Sequence, residues 1–527
     1  MKENLAGIED YTRVVSLYQP EQIVKYGELT LRENQIAYAD PGFFRLFDFE
    51  LVKGDKATCL SMPRQVVITE RIARKYFQDE DPIGKILIFT GPYDKVVCEV
   101  TGVMKEMPSN SHIHYNFLIS YKSLGQYLHD YWYKHEVYTY VLLDSPERKE
   151  EIEKAFPAMS EKYKTDEALK NKIWGVSLTP LADIHLKPQV GYEAEIKGNR
   201  TAMIALIFAA IAILAIAWIN YINLTVARSM ERAKEVGVRR VIGAFRKQLV
   251  SQFLFEALVM NLVALVLAVG LIELILPYFN QLVSRTVTFS VWLTGYWWLL
   301  LLIVFVGGIF LSGYYPALAL LNRKPITLLK GKFLNSKSGE GTRKVLVVVQ
   351  YTASMILLCG TLIVFAQLNF MRNQSLGVKT DQTLVVKFPG RTEGMNTKLE
   401  AMKKAIARLP LVDKVTFSGA VPGEEVATFL SNRRKSDALK QNRLYEMLVC
   451  DPDYIDAYGL QLVAGRGFSE DYGDDVNKLV VNESAVRNLG IASNEEALGE
   501  EIEVECTDAS MQIIGCLLYT SDAADVY

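Results

Sequence analysis

The stretch TAMIALIFAAIAILAIAWINYINLTVA, residues 201–227, contains no charged side chain. An α-helix rises 1.5 Å per residue, so about 20 apolar residues cross the roughly 30 Å hydrocarbon core of a bilayer. Two more stretches lack charge throughout, residues 286–322 and residues 345–371, and each is longer than this minimum. The sequence therefore predicts a membrane protein.

A fourth apolar run, residues 253–277, carries two carboxylates, Glu256 and Glu273, which lie near its two ends. A charged side chain at the centre of a spanning helix costs about 2.5–3.5 kcal/mol, whereas one near an end reaches the interface. This run is therefore counted as a span. The predicted membrane helices cover about residues 202–226, 253–277, 295–320 and 345–371.

The charges between the spans predict the orientation of the chain. Residues 228–250 and residues 321–344 each hold seven Lys or Arg side chains, whereas residues 278–295 hold only Arg285. Basic loops remain in the cytoplasm, so the two basic segments are expected there. The long regions before the first span and after the last one should then lie outside the cytoplasm.

These two outer regions share an ordered sequence pattern. The segment DPGFFRLFDFELVKG at residues 40–54 corresponds to DPDYIDAYGLQLVAG at residues 451–465, and VVITERIARKYF at residues 66–77 corresponds to LVVNESAVRNLG at residues 479–490. Matches that recur in order at a nearly constant spacing indicate an internal duplication. Each copy has the pattern of a small mixed α/β domain, with a β-rich segment before a helix that Thr69 can cap in the first copy.

The predicted order of domains follows from these segments. We expect an extracytoplasmic domain, three membrane helices with a cytoplasmic loop at residues 228–250, a cytoplasmic linker, a fourth membrane helix and a second extracytoplasmic domain. Their ranges are 1–200, 201–330, 331–344, 345–371 and 372–516. Neither copy has all the counterparts of the other, so we expect a chain truncated at both ends. The last residues, LLYTSDAADVY at 517–527, lack the strand pattern and are expected to be non-native.

The loop RAKEVGVRRVIGAFRKQ, residues 232–248, is the most informative cytoplasmic segment. As a helix it places Arg232, Glu235 and Arg239 on one charged face, and Glu235 and Arg239 have the favourable i,i+4 spacing. The opposite face is apolar and includes Gly237 and Ala244. The pattern favours a short helix that docks on a protein surface. A basic loop that only sets the orientation, and a helix bound to anionic lipid, are the alternatives.

This loop resembles that of the MacB/FtsX family of ABC transporter permeases, which has the pattern R-x-x-E-[IV]-G-[IV]-R-x-x-x-G-A followed by Q-F-L-x-E-A. The matching loop residues are Arg232, Glu235, Val236, Gly237, Arg239, Gly243 and Ala244. Gln252, Phe253, Leu254, Glu256 and Ala257 match the second part. The segments NYINLTVAR at 220–228 and GYYPALALLNRKPITLLKGK at 313–332 also resemble the family, and the first outer region is similar to its periplasmic core domain. The resemblance covers residues 1 to about 515.

The resemblance implies an α-helical transmembrane bundle with mixed α/β extracytoplasmic domains in a bacterial inner membrane. It also implies that the loop docks on an ABC ATP-binding subunit, which binds ATP and Mg²⁺, and that motion passes to the outer domains. The implied function is efflux or extraction of a substrate such as an antibiotic, peptide or lipoprotein. The alternative is an FtsX-like regulator that activates an extracellular enzyme or sensor kinase. A second permease copy, a periplasmic adaptor or outer-membrane channel, and membrane lipid are the other implied partners, and nucleic acid is not expected.

The chain itself has no pattern of an ATPase, a metal site or a nucleophilic enzyme. The phosphate-binding pattern G-x-x-x-x-G-K-[ST] is absent from the sequence. His112 and His114 have no carboxylate or Cys at a metal-binding spacing nearby. We therefore expect no catalytic residues, cofactor or metal in this chain. A disulfide between Cys59 and Cys98 is conceivable in an outer domain, but unpaired core thiols are favoured.

Overall fold

Contacts between residues divide the chain into two units in the computed structural model. The first unit comprises Met1–Gly198 and Ser375–Tyr527, and the second comprises Asn199–Gln374. The structure describes residues 5–16, 21–91, 95–108, 110–128, 137–163, 175–186, 198–231, 233–283, 287–290, 295–314, 317–318, 321, 337–373, 377–379, 381–387, 395–424, 426, 429–437, 443–473, 475–504 and 510–518.

The N-terminal part of the first unit is a mixed α/β domain built on a ten-stranded sheet. Its strands are β1 (Ile8–Val15), β2 (Glu21–Tyr26), β3 (Leu29–Asn34), β4 (Ile36–Ala39), β5 (Leu51–Lys53), β6 (Gln65–Thr69), β7 (Ile86–Thr90), β8 (Lys95–Met104), β9 (Phe117–Ser120) and β10 (Val137–Leu143). Its helices are α1 (Phe43–Leu46), α2 (Glu70–Phe77) and α3 (Arg148–Tyr163). The strand order is β10-β1-β4-β9-β6-β8-β7-β2-β3, and β5 pairs with β8.

The central strand β6 is buried on both faces. Val66 and Ile68 belong to one apolar cluster with Ile72 of α2, whereas Val67 belongs to a second cluster with Phe43 of α1. Alternate residues of a strand point to opposite faces, so the two clusters cover the two sides of the sheet. The cap predicted for α2 is present, because Thr69 Oγ1 accepts a hydrogen bond from the backbone N of Ile72 at 3.4 Å. The sequence pattern therefore predicted this strand and helix correctly.

The C-terminal part of the first unit is a smaller mixed α/β domain. Its strands are β11 (Phe429–Arg434), β12 (Arg443–Glu446), β13 (Leu462–Gly465), β14 (Lys478–Asn482), β15 (Glu501–Val504) and β16 (Met511–Leu517). Its helices are α9 (Met395–Ile406), α10 (Tyr454–Ala457) and α11 (Glu483–Asn488). The strand order is β12-β11-β15-β16-β13, and β14 pairs with β16. Leu517, placed at the start of the predicted non-native tail, ends β16, and residues 519–527 lie outside the described residues.

The two domains connect equivalent strands in the same way. In the first, β8 pairs with β6 in parallel and with β5 and β7 antiparallel. In the second, β16 pairs with β14 in parallel and with β13 and β15 antiparallel. The two parallel pairs also share an irregularity, since the register shifts between Val66 and Val67 in one and between Leu479 and Val480 in the other.

A glycine occupies the same tight place in both domains. Gly54 and Gly465 have φ values of 98° and 71°, in the left-handed region that favours glycine. A Cβ on Gly54 would lie 2.6 Å from the carbonyl oxygen of Thr101, and one on Gly465 would lie 2.2 Å from that of Ile514. Both positions therefore require glycine because a neighbouring strand passes too close for any side chain.

The second unit is a set of long apolar helices. They are α4 (Arg200–Glu231), α5 (Ala233–Val241), α6 (Arg246–Val283), α7 (Trp297–Ile309) and α8 (Lys337–Asn373), and α7 continues into a π-helical turn at Phe310–Tyr314. Among the described residues, four helical segments have the length and apolar composition of membrane spans: Arg200–Thr225, Arg246–Val283, Trp297–Tyr314 and Lys344–Asn373. The four predicted membrane helices are confirmed at this level.

Three of the described helices, α4, α6 and α8, extend beyond the predicted spans. The second span was predicted at residues 253–277, but α6 begins seven residues earlier and ends six residues later, at Arg246 and Val283. The helix of the fourth span begins at Lys337, inside the segment predicted as a linker, and residues 331–336 lie outside the described ranges. Hydropathy finds the apolar part of a helix, whereas its polar ends continue into water with the same backbone hydrogen bonds.

Candidate functional site

The loop between the first two spans folds as the short helix α5, which we call the coupling helix. Gly243 ends it with φ 106°, and the backbone N of Ala244 donates to the carbonyl of Arg239 at 2.9 Å. The backbone N of Gly243 donates to the carbonyl of Arg240 at 3.3 Å. These two bonds and the left-handed glycine form a Schellman motif, which terminates helices. A turn at Gly243 and Ala244 therefore separates α5 from α6.

One side of the coupling helix packs on other residues of the second unit, which we call the membrane unit. Val236 is buried in a small apolar cluster with Leu249 near the start of α6. The same cluster contains Ala317 and Leu321, which follow the π-helical turn of the third span. Gly237, beside Val236, is also buried. The coupling helix is therefore anchored to the second and third spans at once.

Arg239 links the coupling helix to α6 through polar contacts. Its Nη2 lies 2.6 Å from Glu235 Oε1, and its Nη1 donates to Gln252 Oε1 at 2.8 Å. The side chains of Glu235 and Arg239 are about half exposed, and a surface pair of this kind adds only a few tenths of a kcal/mol. The contacts of Arg239 instead set an orientation, because its bond to Gln252 fixes the rotation of α5 about its own axis relative to α6. This contact explains the joint occurrence of Glu235, Arg239 and Gln252 in the sequence pattern.

A second arginine makes a contact that the sequence did not predict. Arg240 Nη1 donates to the backbone carbonyl of Leu321 at 3.1 Å. A charged donor on a backbone carbonyl forms a stronger hydrogen bond than a neutral donor does. Arg240 therefore ties the coupling helix to the segment after the third span at the same place where Val236 packs.

The opposite side of the coupling helix is apolar and exposed. Ile242 is 81% exposed and Phe245 is 73% exposed, and Val238 and Val241 beside them are also exposed. Val238, Val241 and Ile242 follow the spacing i, i+3, i+4, which places them in one stripe of the helix, whereas Phe245 lies just beyond the turn at Gly243. An exposed apolar stripe of this kind is typical of a protein interface.

The structure therefore divides the predicted apolar face into two parts. Gly237 faces the membrane unit, Val241 faces outward, and Ala244 lies half-buried in the turn. Val238, Ile242 and Phe245 were missed as outward residues. The helical spacing of Val238, Val241 and Ile242 could have revealed the first two, whereas Phe245 lies beyond the turn. Of the seven predicted site residues, Arg232 lies outside the described residues. The other six lie in this helix and turn: Glu235, Val236, Gly237, Arg239, Gly243 and Ala244.

The residues considered for other chemistry have structural contacts. His112 Nε2 lies 3.1 Å from the hydroxyl of Tyr140, and burial followed by the charge of His114 lowers the pKa of His112. Cys59 and Cys98 are buried and not bonded to each other. In the part of the chain that the structure describes, no group of three or more His, Cys, Asp or Glu side chains is placed to hold a metal ion.

Two sequence families match the chain. Residues 1–159 match the family described as MacB-like periplasmic core domain, and residues 207–325 match the FtsX-like permease C-terminal family. The second match includes the coupling helix and three of the four apolar helices. Together the two matches cover more than half of the chain.

Curated relatives agree with these matches. The chain is 32% identical over 133 residues to the macrolide export ATP-binding/permease protein MacB of Campylobacter jejuni, covering 25% of this chain and 20% of that protein. It is 25% identical over 244 residues to the MacB protein of Neisseria meningitidis, covering 46% and 33%. It is 22% identical over 277 residues to the uncharacterized ABC transporter permease YknZ of Bacillus subtilis, covering 51% and 64%. The chain thus covers a third or less of these two MacB relatives.

Two solved structures are similar to part of the chain. A domain of a permease protein from Porphyromonas gingivalis is 24% identical, with a TM-score of 0.28, over 32% of this chain and 75% of that one. The periplasmic region of MacB from Actinobacillus actinomycetemcomitans is 17% identical, with a TM-score of 0.24, over 31% and 72%. Two family models match the chain, and four of its described helices have the length and composition of membrane spans, so this chain belongs to the MacB/FtsX type of ABC transporter permease.

Proposed function

We propose that this chain transmits ATP-driven motion of a partner ATPase through the coupling helix to the extracytoplasmic domains. The observation that carries the proposal is the exposed apolar surface formed by Val238, Val241 and Ile242 of the coupling helix and by Phe245 just after it. Val236 of the same helix is anchored to two spans. A partner that covers the stripe removes apolar surface from water. Any displacement of that partner then acts on Leu249 and Leu321 through the buried contacts of Val236.

The energy source is an ABC ATP-binding subunit on a separate polypeptide. The sequence of this chain contains no phosphate-binding G-x-x-x-x-G-K-[ST] pattern, which supports an ATPase outside these residues. Its MacB relatives are named as ATP-binding/permease proteins, and these names support the link to ATP binding. ATP and Mg²⁺ bind to the partner subunit in this proposal, and this chain is not itself an enzyme.

The work done is efflux or extraction of a substrate at the outer side of a bacterial inner membrane. The relatives named for macrolide export support an antibiotic-like substrate, and a peptide or lipoprotein fits the same arrangement. A second copy of the permease and a periplasmic adaptor or outer-membrane channel complete the proposed assembly.

We also propose that the two extracytoplasmic domains arose by internal duplication. The equivalent strand pairings, the shared register shift and the paired glycines Gly54 and Gly465 support the duplication.

Co-purification with the ATPase tests the coupling proposal. The variant Ile242→Asp with Phe245→Asp places two carboxylates on the exposed apolar surface and leaves the buried Val236 and Gly237 unchanged. We expect it to lose at least about tenfold in ATPase binding, since a charge buried at an interface is strongly unfavourable. Leu282→Asp is the matched control, because Leu282 is equally exposed but lies at the far end of α6.

Retained binding in the double variant, with ATP-dependent activity at the level of the control, would reject the coupling proposal. If the intact complex activates an extracellular enzyme on addition of ATP and releases no substrate, the regulator alternative replaces transport.

A further inference from the structure

The third span does not end as a regular α-helix. After α7, residues Phe310–Tyr314 form a π-helical turn. A π turn inside an α-helix corresponds to one inserted residue, and such turns occur often at functional sites. Ser312, in the middle of this turn, is only 2% exposed. The turn therefore lies at a packed position of the membrane unit.

Two polar side chains hold the turn. Ser312 Oγ donates to the carbonyl of Gly308 at 2.5 Å, and Asn261 Nδ2 donates to Ser312 Oγ at 3.3 Å. Asn261 Nδ2 also donates to the carbonyl of Ala257, on its own helix, at 2.8 Å. Polar groups in an apolar bundle need such partners. The bond from Asn261 to Ser312 is therefore a specific link between the second span and the π turn.

Two glycines bring three helices close together beside this link. A Cβ on Gly308 would lie 3.1 Å from Trp218 Nε1 of α4 and 3.2 Å from Asn261 Oδ1 of α6. A Cβ on Gly313 would lie 3.0 Å from Ala257 Cβ and 3.2 Å from the backbone Cα of Leu254. These approaches are tighter than ordinary contacts, so the first, second and third spans are interlocked at the π turn.

The position of the turn gives it a mechanical consequence. Ala317 and Leu321, which follow it, pack against Val236 and Leu249 at the coupling helix. If the π turn became regular α-helix, the residues after it would rotate by about 100° and shift by about 1.5 Å relative to the residues before it. Such a rotation would turn Ala317 and Leu321 out of their contact with the coupling helix.

We propose that the π turn at Phe310–Tyr314 is a two-state hinge of the third span, held in its π form by Asn261 and Ser312 and converted to α-helix when the coupling helix moves. This inference rests on the proposed coupling function. The interconversion exchanges one set of backbone bonds for another within the same helix. The link to Asn261 and the close packing of Gly313 favour the π form over the α form.

A distance measurement on the full chain in lipid nanodiscs tests the hinge. Spin labels are placed at Leu302 and Leu318, on the two sides of the turn, in a chain whose native cysteines have been replaced. In the otherwise unchanged chain we expect one distance without the ATPase. A shift of several ångström should follow addition of the ATPase with Mg²⁺ and a non-hydrolysable ATP analogue.

Variants at the turn should produce the second distance without any ATPase. Asn261→Leu and Ser312→Ala remove the polar link, and Gly313→Ala acts independently by adding a methyl group against α6. Thr361→Ala is the matched control, because Thr361 Oγ1 donates to the carbonyl of Leu357 at 2.8 Å in the same i to i−4 geometry within a regular helix. The control should keep the original distance.

The outcomes separate the hinge from the coupling proposal. If the three variants all keep the original distance while remaining folded in the nanodisc, the hinge is wrong. If the ATPase binds but does not change the distance of the unsubstituted chain, the π turn is not driven by the coupling helix and the inference is overturned, while docking itself stands. If the ATPase does not bind, the proposed function fails and the variant distances alone decide whether the turn has two states.

Discussion

Asp40 and Asp451 lie 411 positions apart and make the same two backbone contacts in different domains. The backbone N of Asp40 donates to the carbonyl of Arg13 at 3.1 Å, and its Oδ2 accepts from the N of Arg13 at 3.0 Å. Asp451 makes the same pair of bonds with Phe417, at 2.9 Å and 3.0 Å. Each carboxylate also binds one cation, Arg13 in the first domain and Lys403 in the second. The aspartate therefore makes the same backbone hydrogen bonds in both domains, although the residues that it contacts differ in type.

Replacing either aspartate should destabilise its own domain. Asp40→Ala leaves the backbone N of Arg13 and its guanidinium without their acceptor, and we expect a loss of about 2–3 kcal/mol in local stability. Asp451→Ala should have a similar effect on the second domain. Hydrogen exchange by mass spectrometry on the full chain measures the two domains separately. The control is Asp48→Ala, since Asp48 is fully exposed and should change stability by less than about 0.5 kcal/mol.

The helix caps give a second matched pair. Thr69 caps α2 through Ile72, and Asn482 caps α11, where its Oδ1 accepts from the backbone N of Ala485 at 2.8 Å. Thr69→Ala and Asn482→Ala should each lower local stability by about 1 kcal/mol, whereas Thr69→Ser and Asn482→Asp should retain most of it. Amide exchange at the first turn of each helix is the measurement. Equal protection in the Ala and the conservative variants would contradict the role of these caps.

The buried thiols of the first domain predict a loss of stability at alkaline pH. Burial raises the pKa of Cys59 to about 11 and that of Cys98 to about 12. The folded chain therefore retains these protons up to a higher pH than the unfolded chain, in which a thiol titrates near pH 8.5. The contribution of the two buried thiols to the free energy of unfolding is fully present below about pH 8.5. Above it, each thiol should lower the free energy of unfolding by up to about 1.4 kcal/mol per pH unit until its folded pKa is reached.

Denaturation of the full chain between pH 7 and pH 10 measures this slope, and Cys59→Ala with Cys98→Ala should make it shallower. Native alkylation provides an independent check. At pH 8 both thiols should resist iodoacetamide, whereas a cysteine at the exposed position Met62 should react readily. Rapid native alkylation of Cys98 would contradict its buried state.

Arg240 should stabilise the coupling helix without taking part in docking. Arg240→Met removes the donor to the carbonyl of Leu321 and keeps a similar volume, so we expect a loss of about 0.5–1.5 kcal/mol in the local stability of α5. Amide exchange across residues 236–241 measures it. Lys247→Met is the control, since it removes an exposed charge next to the same helix. An equal effect of both variants would show that net charge, and not the bond to Leu321, sets the stability of α5.

The sequence predicted the features that depend on local pattern. The four spans follow from long apolar runs, and the cap at Thr69 follows from a polar residue placed directly before an amphipathic segment. The inward orientation of Gly237 could not be predicted in this way, because it depends on Ala317 and Leu321, which reach α5 from more than 70 positions away. A helix this short has no intrinsic inner face, so its neighbours decide which side is buried.

The π turn shows a different limit of prediction. Phe310–Tyr314 contains Ser312 and Gly313 beside apolar residues, and this local pattern alone does not distinguish five residues of π-helix from α-helix. Asn261 and Ser312 carry the information, but they are 51 positions apart in sequence. Polar residues within spans predict hydrogen bonds between helices in general, while the partner of each one becomes known only from the packing.

The length of α6 determines how far this helix reaches on the two sides of the membrane. Its 38 residues make a rod of about 57 Å, nearly twice the thickness of the hydrocarbon core. Confinement within that core would need a tilt of about 60°, beyond the usual range of up to about 40°. The rod must therefore protrude, with Leu249 near one end and Val283 at the other. In the proposed coupling, α6 carries a displacement received near Leu249 across the bilayer toward Val283.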